Sequence, residues 1–132
     1  MNRLLRWGKF NLVGAMGMGV QLVSLALLNR WFPGHYLWVS ASAIELTLLH
    51  NFLWHVNYTW ADRRNDGKRL HRFARFHISN GFVSMLGNLT LTRLFVRELC
   101  LPLLISNAAA ILCCSVVNYF LGDHWAFRGK LW

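Results

Sequence analysis

The stretch FNLVGAMGMGVQLVSLALLN, residues 10–29, separates Lys9 from Arg30 and carries no formal charge over its 20 positions. At 1.5 Å per residue a helix of that length rises about 30 Å, the thickness of a bilayer's hydrocarbon layer. Three stretches like it follow. Arg30 and Asp62 are separated by 31 residues with only Glu45 charged among them, Arg75 and Arg93 by 17 uncharged residues, and Glu98 and Asp123 by 24. Four spanning helices are predicted near 10–29, 37–58, 76–96 and 101–121. Strands are excluded, because only a closed barrel satisfies strand backbone in lipid and four segments cannot close one. The remaining composition agrees: 55% of the 132 residues are hydrophobic, 14% are charged and mean hydropathy is +0.33. One domain is the count expected at this length.

The net charge of +9 admits nucleic acid, anionic lipid or an anionic ligand as partner, and placement decides among them. Arg3, Arg6, Lys9, Arg63, Arg64, Lys68, Arg69, Arg72, Arg75, Arg128 and Lys130 fall on one side of the four spans, and Arg30, Arg93 and Arg97 on the other. That bias puts both termini and the central loop in the cytoplasm, and makes anionic lipid rather than nucleic acid the expected partner. Trp-Phe-Pro-Gly at 31–34 and Pro102 mark the hairpin turns. Trp7, Trp31, Trp38, Tyr58, Trp60 and Trp125 fall at the interfaces. The first segment is too long for a signal-peptide core and leads into a second span.

The two halves resemble one another. Arg6-Trp-Gly-Lys-Phe10 enters the first helix, and Arg72-Phe-Ala-Arg-Phe76 enters the third 66 residues later. The second helix ends Asn51-Phe52, then Tyr58-Thr-Trp60; the fourth ends Asn118-Tyr119, then Trp125-Ala-Phe127, offset by 67. The expected fold is therefore an all-α membrane protein of four transmembrane helices. They form two hairpins, parallel repeats about 5–61 and 71–128, within a single domain 1–132.

These residues resemble the GtrA-like family of small four-helix membrane proteins over about residues 5–128: two copies of basic-x-x-basic-Phe, Val13-Gly14 inside the first helix, and two Asn-aromatic endings. The resemblance implies cell-surface polysaccharide synthesis at a bacterial cytoplasmic membrane. There the protein would assist translocation of a polyprenyl-phosphate-linked sugar beside a membrane glycosyltransferase. Where the family often keeps a basic residue before its closing aromatic pair, this chain has Val56 and Asp123. Trp60 stands for the more usual Phe, and Asn80-Gly81 for Val-Gly. Headgroup phosphate contacts are accordingly expected from Arg63, Arg64 and Arg128, with Arg72 and Arg75 beside them.

Glu45 lies near the middle of the second span, where a carboxyl must be protonated, paired or in a watery cavity, at roughly 3 kcal/mol on insertion scales. It reads either as a sugar-hydroxyl acceptor or proton-linked gate, or as a neutral acid bonded to a neighbouring helix. Asn51 and Asn118, at equivalent depths, read as a structural clasp or as the entry for a polar headgroup. With Gln21, Asn80 and Asn88, these residues make up the expected sugar groove. Gly14, Gly17 and Gly19 match no dinucleotide fingerprint and are expected to allow close helix contact. His50 and His55 point about 140° apart on a helix, which speaks against a metal. Cys100, Cys113 and Cys114 imply no disulfide framework. No nucleophile with a base, no paired carboxylates and no phosphate loop is present, so neither enzyme nor cofactor is expected. Two other functions stay open: a non-transporting partner or regulator of a polyprenyl-phosphate glycosyltransferase, and a small proton-coupled exporter using Glu45. A homo-oligomer is compatible with all three.

Overall fold

The structure, a computed structural model, describes residues 2–128, and within them excludes the side chains at 36, 37, 40, 64–66, 89, 103, 104, 107 and 108. Arg64 and Asn107 thus lie outside the described side chains, and Lys130 outside the described residues. The regular elements among the described residues are all helical: α1 (Arg3–Trp31), α2 (Tyr36–Trp54), α3 (Arg69–Phe82), α4 (Asn88–Arg97) and α5 (Leu103–Leu121). Three π-helical stretches, His55–Thr59, Val83–Gly87 and Gly122–Ala126, and a 3-10 turn, Ala61–Asp66, complete them.

The chain divides into two compact units, Met1–Asn65 and Asp66–Trp132. In the first, Asn2 caps α1 by accepting from the Leu4 amide at 3.2 Å. The helix stops where the Phe32 amide bonds the Leu28 carbonyl and Pro33 cannot continue the ladder. Gly34 takes φ +85, open to glycine at little cost, and the chain turns into α2. Arg6, Phe10, Val13 and Gly17 are the buried face of α1, at the i, i+4, i+7, i+11 spacing of one helix stripe. Val39, Ala43, Thr47, Asn51 and His55 do the same for α2 and its π extension.

In the second unit α3, the 83–87 stretch and α4 run end to end and turn back into α5. That turn is tight: Cys100 sits at φ 51, and the Leu101 amide reaches the Phe95 carbonyl at 3.2 Å. The bond spans one residue more than the six-to-one bond of a helix C-terminus, a place that ordinarily has glycine in the left-handed position. Pro102 then opens α5, with the Ser106 amide on its carbonyl at 2.9 Å.

Four helical runs match the four expected spans. Among the described residues, however, only α1 is long and apolar enough to cross a membrane by length and composition, at a mean hydropathy of 1.7 over its best 18 residues. The third run differs because the π stretch divides it into α segments of 14 and 10 residues, the first of which carries Arg69, Arg72 and Arg75.

Candidate functional site

Each unit closes one end of its helix pair with the same construction, and the short motifs of the sequence supply its parts. In basic-x-x-basic-Phe, the first basic residue and the Phe are four apart, so one helix face carries both inward. Arg6 and Phe10 are 5% and 6% exposed, and Arg72 and Phe76 are 4% and 2% exposed. The second basic residue, three along, comes over an aromatic ring instead. Lys9 Nζ stands 4.6 Å from the Tyr58 ring centroid and donates to the Tyr58 carbonyl at 3.5 Å. The Arg75 guanidinium lies 5.6 Å from the Trp125 ring centroid, and its Nη1 donates to the Trp125 carbonyl at 3.2 Å.

Those carbonyls accept because they belong to the last turn of a helix, where intrahelical donors have run out and a cation meets the negative end of the dipole. The last turn is π-helical in both units. The Trp60 amide bonds the His55 carbonyl and the Phe127 amide the Gly122 carbonyl, each at 2.8 Å. The wider turn swings Trp60 and Phe127 inward, and both are fully buried. Trp60 meets Phe10 edge-on at 6.0 Å, and Phe127 lies 5.7 Å from Phe76. The two units diverge under these rings. His55 stacks on Phe10 at 4.8 Å and 10° with its Nδ1 2.9 Å from Thr59 Oγ1, whereas the equivalent place in the second unit is Gly122. The first unit also has an ion pair, Arg6 Nη2 to Asp62 Oδ2 at 2.8 Å, with the Asp62 side chain 41% exposed.

The two asparagines sit deeper, and each packs within its own unit. Asn51 is buried on α2, its side chain placed directly against Gly17 of α1, and His50 Nδ1 is 3.1 Å from its Oδ1. Asn118 Nδ2 donates to Ser84 Oγ at 3.2 Å, bonding α5 to the π stretch of the neighbouring run. Its Oδ1 is buried with no hydrogen-bond partner among the described residues. One turn before it, Cys114 packs on Gly87 and its thiol points at the Val83 carbonyl, 3.7 Å away.

The other expected groove residues differ in exposure within their own units. Glu45 is exposed on α2, about 120° around the helix from Asn51, on the face that also presents Trp38, Ser42 and Leu49. Gln21 is exposed on α1, Asn80 is half-buried on α3, and Asn88 accepts from Thr92 Oγ1 at 3.4 Å. Among the expected phosphate contacts, Arg72 is buried and Arg75 is docked on Trp125, Arg63 is half-buried and Arg128 is exposed. Lys68 and Arg69, at the start of α3, are exposed as well. The glycine expectation is corrected in part. Gly17 alone of the three makes a close helix contact, while a methyl group added at Gly14 or Gly19 would meet nothing within 4 Å, since both lie off the stripe that faces α2.

Sequence reasoning missed the roles of Lys9 and Tyr58, of Phe10 and of the His55 ring. The signal was there in the offset of 66 to 67 residues, which pairs Lys9 with Arg75 and Tyr58 with Trp125.

No curated protein matches the chain. The model of the GtrA/DPMS transmembrane domain family matches residues 9–130, nearly the whole sequence and every element of both units but the first turns of α1. This helical membrane protein therefore belongs to the GtrA/DPMS transmembrane domain family.

Proposed function

We propose that the protein is a multi-pass component of a bacterial cytoplasmic membrane that assists movement of a polyprenyl-phosphate-linked sugar from the cytoplasmic to the outer leaflet, for cell-surface polysaccharide synthesis. The observation that carries this reading is the family match over residues 9–130, whose members belong to polyprenyl-phosphate sugar handling at membranes. The charge bias of the flanking segments supports cytoplasmic termini and a cytoplasmic central loop. The equivalent contacts in the two units support reading them as repeats of one hairpin.

The part played by each group follows from its exposure. Arg72 and Arg75 hold the cytoplasmic end of the second unit together, so the phosphate is met by the exposed cations Lys68, Arg69 and Arg128, with Arg63 at their edge. Each positive charge near the surface adds about 1 kcal/mol of attraction for an anionic headgroup. Sugar hydroxyls need partners on the way, since an unpaired polar group in hydrocarbon costs several kcal/mol. Glu45, Gln21, Asn80, Asn88, Asn51 and the open acceptor of Asn118 are the polar groups the spans offer. The protein acts by lowering this cost and performs no covalent chemistry.

A second reading is favoured by Glu45. A carboxyl on an exposed helix face at mid-membrane is most stable against protein, which fits docking on a membrane glycosyltransferase or on a second copy. Reconstitution separates the two. In vesicles of purified protein and a fluorescent polyprenyl-phosphate monosaccharide, transport predicts that the inner-leaflet label becomes accessible to an outside quencher faster than in protein-free vesicles. An unchanged rate in the presence of tight lipid binding leaves the partner role alone.

A further inference from the structure

The run Thr90-Leu-Thr-Arg93-Leu-Phe-Val-Arg97 ends α4, far along the chain from the basic loop. Thr90, Arg93 and Arg97 are spaced i, i+3 and i+7, which sets them on one helix face, and all three are exposed or half-exposed. The two arginines are one turn apart, with about 5–6 Å between their Cβ atoms. Neither guanidinium has a hydrogen bond or ion pair among the described residues; Glu98 is exposed beside them and bridges to neither. Two like charges at this spacing repel each other. Arg97 alone would be explained by the helix C-terminal dipole, but Arg93 sits a turn back, inside the segment that should be apolar.

The type of cation adds a second observation. Lys9, Lys68 and Lys130 all belong to the basic, loop-side group, whereas the three cations opposite, Arg30, Arg93 and Arg97, are all arginine. Arginine's planar fork binds phosphate oxygens in pairs, which a lysine cannot do. We propose that Arg93 and Arg97, with the Thr90 hydroxyl, form a phosphate-binding site for an anionic lipid headgroup at the end of α4 opposite the basic loop. An anion between the guanidinium groups turns their repulsion into a paired contact. On the orientation argued above, on which the word "outer" rests, this is the outer-leaflet station where a translocated phosphate arrives.

The test uses full-length protein in neutral phosphatidylcholine nanodiscs, with a fluorophore on the exposed Cys100, three residues beyond Arg97. Short-chain polyprenyl phosphate and phosphatidylglycerol are titrated in separately. The wild type should respond to at least one of them, and Arg93→Gln with Arg97→Gln should weaken that response tenfold or more. Arg93→Lys with Arg97→Lys, which keeps the charge and removes the fork, should fall between. A preference for the polyprenyl lipid identifies the cargo as the source of the phosphate, and equal responses identify bulk lipid. Arg30→Gln, an exposed arginine off this helix face, should leave the Cys100 signal unchanged. No response in the wild type, or an equal response in the Arg93 and Arg97 variants, overturns the site. Labelling Cys100 with a membrane-impermeant maleimide in intact cells tests the orientation separately. Labelling only after lysis would reverse the reading of sides without touching the site.

Discussion

Gly17→Leu should leave the protein unable to hold its first hairpin, with the purified variant unfolding at markedly lower denaturant than the wild type. A Cβ at Gly17 falls on the Asn51 side chain, 2.7 Å from Nδ2 and 2.8 Å from Cγ. Contacts that close do not occur between real atoms, so either the helices part or the carboxamide leaves its place. Forcing extra methylenes into a packed helix contact costs about 1–3 kcal/mol. Driving out Asn51 also breaks its contact with His50 at 3.1 Å and leaves a buried amide unsatisfied, a further ~1–3 kcal/mol. The obstacle is a side chain with two rotatable bonds, so Gly17→Ala should cost much less. Asn51→Ala combined with Gly17→Ala should recover part of that loss, a positive coupling in a double-mutant cycle. Substitution at Gly14 or Gly19, where nothing lies within 4 Å, should be nearly neutral. Equal stability of Gly17→Leu and wild type in a denaturant titration in micelles would contradict the α1–α2 contact.

Trp60→Ala should be the most damaging single truncation at the π-helical end of the first unit. The indole is fully buried, edge-on to Phe10 at 6.0 Å and to His55 at 5.3 Å. Removing a buried tryptophan costs about 3–5 kcal/mol, of which each aromatic pair supplies ~0.5–1.5. Loss of the ring also removes what holds the His55–Thr59 turn closed, so the Lys9 to Tyr58 contact should loosen with it. Trp60→Phe should cost clearly less than Trp60→Ala, because a ring still fills most of the site, as Phe127 does at the corresponding place in the second unit. Thermal or denaturant unfolding of the three proteins in one detergent is the measurement. A Trp60→Phe variant as unstable as Trp60→Ala would mean that the indole nitrogen rather than the ring fill is what matters.

How much of this was legible in the sequence varies with the physics behind each feature. Charge-free stretches reveal helical runs because a missing charge is written in the residue type. The hairpin turns at Pro33-Gly34 and Pro102 are legible for the same reason. The paired motifs reveal which residues correspond between halves, as Lys9 does to Arg75. They do not reveal the contact, since a cation three residues beyond a core position could equally snorkel to water. The π turns are hidden, because a shift from i−4 to i−5 bonding follows from how Trp60 and Phe127 pack and leaves no trace in composition. The glycines of α1 were readable as a group but not individually. Whether one touches a neighbour depends on helix rotation, which the contact with α2 sets. For the same reason a list of polar span residues could not say that Asn51 faces inward while Glu45 faces out.

A chain that lies in the membrane with its basic ends inside is the central requirement, and side-specific cysteine labelling tests this directly. Ala61→Cys places a thiol at an exposed position beside the central basic loop, and Cys100 lies exposed in the turn between α4 and α5. In right-side-out membrane vesicles an impermeant maleimide should modify Cys100 at once and the introduced thiol only after the membrane is opened. Modification of the introduced thiol from outside with Cys100 protected, or recovery of the chain in the soluble fraction without detergent, would contradict it.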